Sequence, residues 1–245
     1  MNTMSFEDVY KAARAGDADA QVAMGYLFFK GDGVVQDRRE AARWFGLAAD
    51  QGNAEALCNL GHMRAHGTGM SLNLEKAMDL YRRSAELGYP RAMFNLGFMY
   101  TDVEGVEQDW AEGYRWYSMA AEHGNLMAVY RVAVMDEEGR GVPVDLKKAA
   151  EGYGLCLEHG YAKGGYRLAM MHLNGNGFPV NPDKAARILV KAADAGSEDA
   201  MCMLGRMSLS GEGMVKSQRN AEKWLRMAVA RGSDEAAEIL SSLKK

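Results

Sequence analysis

Seven glycines constrain this 245-residue chain more than any other feature: Gly16, Gly52, Gly88, Gly124, Gly160, Gly196 and Gly232 recur every 36 residues without an insertion. The stretch from Gly88 to His123, GYPRAMFNLGFMYTDVEGVEQDWAEGYRWYSMAAEH, is the pattern from which the remainder is varied. Self-similarity at a fixed period of this size means stacked supersecondary units that bury their apolar faces against one another rather than around one large core. The chain is therefore read as one elongated domain. A capping helix over 1–15 comes first, then six repeats over 16–231, then a second capping helix over 232–245.

Each repeat reads as helix, glycine loop, helix. The opening glycine suits the position just past a helix C-terminus, where a left-handed conformation costs a residue without Cβ little. Small residues follow four positions on (Ala20, Ala56, Ala92, Ala128, Gly164, Ala200) and nine positions on (Gly25, Gly61, Gly97, Ala133, Ala169, Gly205). That spacing places both near the face turned toward the partner helix and lets the two helices approach closely. The first helix stops at a G-x-G-apolar element: 31–34, 67–70, 139–142, 175–178 and 211–214. Repeat three breaks it with Val103-Glu104-Gly105-Val106. A β-branched residue tolerates positive φ poorly, so that loop must be differently shaped or strained. The second helix opens on an N-cap in every repeat (Asp37, Asn73, Asp109, Asp145, Asn181, Ser217), and Pro182 stands at a first-turn position that accepts proline. Apolar packers such as Trp44, Tyr81, Trp116, Tyr153 and Trp224 follow. Met63, Met99, Met135, Met171 and Met207 share one slot and read as a buried seam between units.

The order small-x-x-x-Leu-Gly, aromatic, G-x-G-V, Asp-x-x-x-Ala, Trp-Tyr, Ala-Ala, Gly resembles the Sel-1-like repeat, a relative of the tetratricopeptide repeat, over residues 16–245. The resemblance implies an all-α fold, an α/α right-handed superhelix or solenoid of helix-loop-helix repeats, acting as a protein–protein interaction module. Repeat four departs most, with Val132-Ala133 for Leu-Gly, Asp136 at an aromatic position and Gly152 for Trp.

Charge and motif content exclude several other classes. A net charge of −4 and pI near 5.8 argue against a nucleic-acid binder. No 18-residue apolar window exists for membrane insertion. The N-terminus lacks a basic and apolar leader pattern, so a cytoplasmic location is expected. Cys58, Cys156 and Cys202 are too far apart in a stacked array to bridge, and three free thiols are expected. The G-x-G elements lie between helices, without the preceding strand or Gly-Lys-Ser/Thr ending of a phosphate loop. No cofactor is expected. His62 and His66 have the four-residue spacing of metal ligands on a helix, but no third ligand stands nearby, so they read as a surface pair and no metal is expected. His123 and His159 suit the negative end of the helix dipole. Ser241-Ser242-Leu243-Lys244 matches the S-x-x-K nucleophile motif, and some cysteine-rich secreted members of the resembled family are linked to penicillin recognition. The companion S-D-N and K-T-G motifs are missing, so a penicillin-recognising hydrolase is an alternative from another class and the chain is read as a non-enzyme.

The expected function is therefore that of a scaffold binding a partner protein or peptide segment. A toxin-neutralising immunity protein of bacteria is the alternative within binding. If the first helices line the concave side, as the resemblance implies, the sixth and tenth positions after each glycine face the groove. The candidate groove residues are Tyr26, His62, Phe94, Phe98, Tyr130, Tyr166, Met170 and Arg206. Asp102, Glu104, Asp136, Glu137 and Glu138 end two first helices, where acids oppose the macrodipole. They read as an acidic lip that selects a basic flank on a partner with apolar anchors.

Overall fold

The computed structural model describes residues 5–243. Met1–Met4 of the expected first cap and Lys244–Lys245 of the last lie outside the described residues. Among the described residues there are fourteen helices and no strand: α1 (Phe6–Arg14), α2 (Ala18–Lys30), α3 (Arg38–Asp50), α4 (Ala54–His66), α5 (Leu74–Glu86), α6 (Pro90–Asp102), α7 (Trp110–Glu122), α8 (Leu126–Glu138), α9 (Leu146–Glu158), α10 (Ala162–Asn174), α11 (Pro182–Asp194), α12 (Glu198–Ser210), α13 (Gln218–Val229) and α14 (Asp234–Ser242). The chain divides into two compact units, Met1–Asn125 and Leu126–Lys245.

The helix boundaries follow from the residues named above. All seven opening glycines have positive φ, from 78° at Gly160 to 101° at Gly16 and Gly196. All six expected second-helix N-caps accept a backbone N–H from the first turn, as in Asp37 to Arg39 and Glu40, and Ser217 to Asn220. The loops close by one recurring bond, in which the N-cap residue's N–H reaches back to a carbonyl near the end of the first helix. Asp37 donates to Phe28, Asn73 to Arg64 and Asp109 to Tyr100 at 2.9–3.0 Å. Repeat three keeps this bond although its loop differs. Val103 is extended (φ −96°, ψ 120°) and only Gly105 takes positive φ, so the loop changes shape and avoids strain.

In the first unit, α2 packs on α3, α4 on α5 and α6 on α7, while α3 meets α4 and α5 meets α6. The glycine nine residues past each opening glycine sets how closely a pair approaches. A Cβ on Gly25 would stand 2.5 Å from the Phe45 ring, one on Gly61 2.8 Å from Tyr81, and one on Gly97 2.6 Å from Tyr117. The packers grouped together in the sequence thus fall into two adjacent positions. Phe45, Tyr81, Tyr117 and Tyr153 are the rings of the intra-repeat seam, whereas Trp44 and Trp116 stand one residue earlier. Helix α1 covers the start of this unit, burying Ala13 and setting Tyr10 edge-on to Trp44 at 6.1 Å.

The second unit repeats the scheme through α8·α9, α10·α11 and α12·α13. A Cβ on Gly205 would lie 2.6 Å from Leu225. Two of repeat four's departures meet in space. Ala133 stands at the position that is glycine in four repeats and alanine again in repeat five, and a Cβ on Gly152, which replaces the expected tryptophan, would lie 2.9 Å from the Ala133 methyl. Helix α14 ends this unit with Ala236 buried and Ile239, Leu240 and Leu243 packed on the core of α12 and α13. The five seam methionines are all 1–3% exposed. The second glycine of the loops is also a packing position: Gly69 abuts the Arg38 backbone, Gly177 the Leu146 side chain and Gly213 the Pro182 backbone of the preceding repeat.

Candidate protein-binding faces of the first helices

In the first unit the two candidate positions separate by depth. At the sixth position Val22 and Cys58 are buried (6% and 0% exposed), and Phe94 is half-buried against Tyr117, with centroids 5.3 Å apart. At the tenth, Tyr26 and His62 are half-buried and Phe98 is 38% exposed. Tyr26 is tied between repeats: its ring meets Phe45 edge-on at 5.3 Å, and its hydroxyl donates to Glu55 at 2.7 Å and accepts from Asn59 at 2.9 Å. Burial, reinforced by the Glu55 carboxylate, raises the Tyr26 phenol. Arg91 of α6 lies close enough to Tyr26, Tyr89 and Cys58 to oppose the upward shift that burial imposes on each; the Cys58 thiol nevertheless stands at about 11 and Tyr89 at about 12. Asp102 and Glu104 are exposed beyond Phe98, with Thr101 Oγ1 donating to Asp102 at 2.6 Å.

In the second unit Tyr130 is half-buried between Tyr153 (5.8 Å) and Tyr161 (5.5 Å), and Tyr166 packs against the core of the following repeats. Met170 is half-buried, and Arg206 is exposed but ion-paired to Glu235 at 2.8 Å. The sixth position therefore packs mainly between repeats. At the tenth, Phe98 and Arg206 are exposed and the other side chains are half-buried.

The acids of α8 require a correction. Asp136 is 4% exposed and presents no charge at a rim. Glu137 accepts from the buried Tyr153 hydroxyl at 2.6 Å and from Arg167 at 2.8 Å, Arg167 Nε donates to that same hydroxyl at 3.2 Å, and Arg167 also reaches Glu138 at 3.3 Å. Arg140 adds a second cation on Glu138 at 2.9 Å. These carboxylates are consumed by a network joining α8, α9 and α10. The reading from sequence missed Arg167, which stands 30 residues after Glu137 on the next first helix and could have been found by comparing the inward positions of neighbouring repeats.

The remaining chemical candidates resolve simply. The three cysteines are free and buried. Ser241 Oγ donates to the Glu238 carbonyl at 2.7 Å, an ordinary helix back-bond, and Lys244 lies outside the described residues. Among the described residues no three His, Cys, Asp or Glu side chains converge as a metal site, and no helix is long and apolar enough to cross a membrane.

Paired helices with glycine-set seams, repeated within each unit, define a helical repeat protein. The Sel1 repeat model matches residues 18–53, 54–89, 90–125, 126–151, 162–197 and 198–233, and the chain belongs to that family. The fourth match stops one residue before Gly152. Among solved structures, a protective antigen present in uropathogenic Escherichia coli strains and displaying an SLR fold is 30% identical, with a TM-score of 0.89 over 96% of this chain. This chain spans 50% of that protein's length. A Sel1 repeat protein from Oxalobacter formigenes is also 30% identical, with a TM-score of 0.76, over 92% of this chain and 88% of the other. An immunity protein from Pseudomonas aeruginosa shares the fold at 19% identity, TM-score 0.54, covering 89% and 82% of the two chains. No curated protein matches the chain. Sel1 repeat proteins generally mediate protein–protein interaction.

Proposed function

We propose that this chain is a protein-binding scaffold whose first-helix faces take apolar side chains of a partner segment, with no chemistry of its own. The observation that carries this reading is Phe98, a large aromatic 38% exposed on a helix face whose neighbouring sixth-position ring, Phe94, is half-buried against Tyr117. An aromatic held on a rigid helix loses little conformational freedom on binding and can act as a hot spot. In the second unit Met170 holds the corresponding place. Charge selection rests on Asp102 and Glu104 rather than on the α8 acids, and it favours a basic flank beside the apolar anchor. The likeness to an immunity protein is one of fold and supports no toxin as partner.

The test is affinity capture with the full chain, followed by identification and kinetic measurement of what binds. Phe98→Ala should speed dissociation while leaving the unfolding temperature unchanged. Arg115→Glu on α7, outside the proposed face, should leave the dissociation rate unchanged, although it breaks the Arg115–Glu112 ion pair and lowers stability. If Phe98→Ala binds as well as the parent chain, or if Arg115→Glu is the more damaging change, the face is misassigned.

A further inference from the structure

The charges at the two ends of α6 run against its dipole. Arg91 stands in the first turn and Asp102 in the last, with Glu104 just beyond, and all three are exposed. A cation at the positive end of a helix and an acid at the negative end both cost stability, and opposite charges brought from outside would offset both. Arg91, Asn95, Phe98 and Asp102 are spaced by four, three and four residues, which sets them on one stripe of the helix. Among the described residues no carboxylate pairs with Arg91. Its guanidinium lies beside the Tyr26 hydroxyl, which itself donates to Glu55 of α4 at 2.7 Å. Between the charged ends Phe98 is 38% exposed, and Phe94, one turn nearer Arg91, is half-buried. The stripe thus reads cation, aromatic, acid.

We propose that this stripe takes an extended partner segment presenting an acidic, an apolar and a basic side chain in that order, against Arg91, Phe98 and the Asp102–Glu104 end respectively. The inference rests on the scaffold reading and adds to it the acid and the order. A helix rises about 1.5 Å per residue, so Phe98 lies about 10 Å along the axis from Arg91, and Asp102 about 6 Å further. An extended chain advances about 3.3 Å per residue, which places the apolar residue about three positions from the acid and the base about two positions beyond it. A segment with its charges exchanged would set like against like at both ends, so the stripe rejects it as well as selecting the other.

The test is selection of a phage-displayed library of random short peptides on the full chain, with enriched sequences remade as fluorescent peptides and titrated by anisotropy. Enriched sequences should carry an acid on one side of an apolar residue and a Lys or Arg on the other, at about the spacings given above. Phe98→Ala should weaken their binding, and Arg91→Glu should weaken it by roughly tenfold, the worth of a charged hydrogen-bonded contact. A peptide whose acid is replaced by Lys should bind Arg91→Glu more tightly than it binds the parent chain. That exchange separates a lost contact from a loosened fold, because a damaged variant would bind neither peptide. Peptides that need Phe98 but bind Arg91→Glu as well as the parent chain would overturn the acid and the order while leaving the scaffold face standing. Peptides insensitive to Phe98→Ala, or a selection that enriches nothing, would overturn both. A parent chain that sediments as a dimer, and Phe98→Ala as a monomer, would give the face to a second copy and overturn the segment.

Discussion

At the scale of single residues, the array depends on where a side chain is missing. Gly97 faces the Tyr117 ring at a distance a methyl group cannot occupy, while a methyl group placed on Gly154 of α9 would meet nothing within 4 Å. The two glycines should therefore respond in opposite directions. Gly97→Leu should destabilise by about 1–3 kcal/mol or more through overpacking. Gly154→Ala should stabilise by about 0.5–1 kcal/mol through helix propensity. Urea unfolding of both variants measures the contrast, and equal shifts would remove the close-packing account. Buried thiols give a second residue-scale expectation. Burial pushes Cys58 and Cys156 up to about 11 from an ordinary value of 9.0. Between those values the unfolded chain has released protons that the folded chain retains, so stability falls as pH rises through this window and is unaffected by these groups below it. Unfolding midpoints from pH 8 to 11 should decline less steeply in Cys58→Ala/Cys156→Ala than in the parent chain.

At the scale of elements, neighbouring helices are held by the opening glycine and the N-cap, both visible in the sequence because each acts within a few residues, and by one recurring loop bond that the folded backbone reveals. Repeat three illustrates the limit. Its Val103 signalled a departure, yet only the backbone shows an extended residue and an intact Asp109–Tyr100 bond in place of strain. Between elements, α8, α9 and α10 are joined by Glu137, Tyr153 and Arg167. Removing the carboxylate with Glu137→Ala takes the acceptor from the Tyr153 hydroxyl and leaves Arg167 with Glu138 as its remaining carboxylate, a loss of about 1–3 kcal/mol. Glu137→Lys with Glu138→Lys should lower stability further, since it sets cations against Arg167. A double-mutant cycle of Glu137→Ala with Tyr153→Phe should show coupling; strict additivity would mean the bond contributes nothing.

At the scale of the whole molecule, what matters for function is which surface survives packing. An apolar anchor and a charged rim should fail differently. Phe98→Ala should act on the dissociation rate, whereas Glu104→Lys should slow association and flatten its salt dependence with little change in dissociation. Surface plasmon resonance at two salt concentrations against the captured partner separates the two effects, and a Glu104→Lys chain with unchanged salt dependence would exclude the basic flank. The sequence by itself determined the period, the helix pairs, the cap residues, the tight seams and the buried methionines. Each of these follows from local backbone geometry or from a residue type repeated in one slot. Tertiary structure alone decided that Val22, Cys58 and Cys202 are buried where a groove was expected, that Phe45 rather than Trp44 meets Gly25, and that Arg167 neutralises the acids of α8. The reason is physical. A repeat register specifies which helix face a residue occupies, but whether a long side chain reaches the next repeat depends on helix spacing and rotamer, which no 36-residue pattern contains.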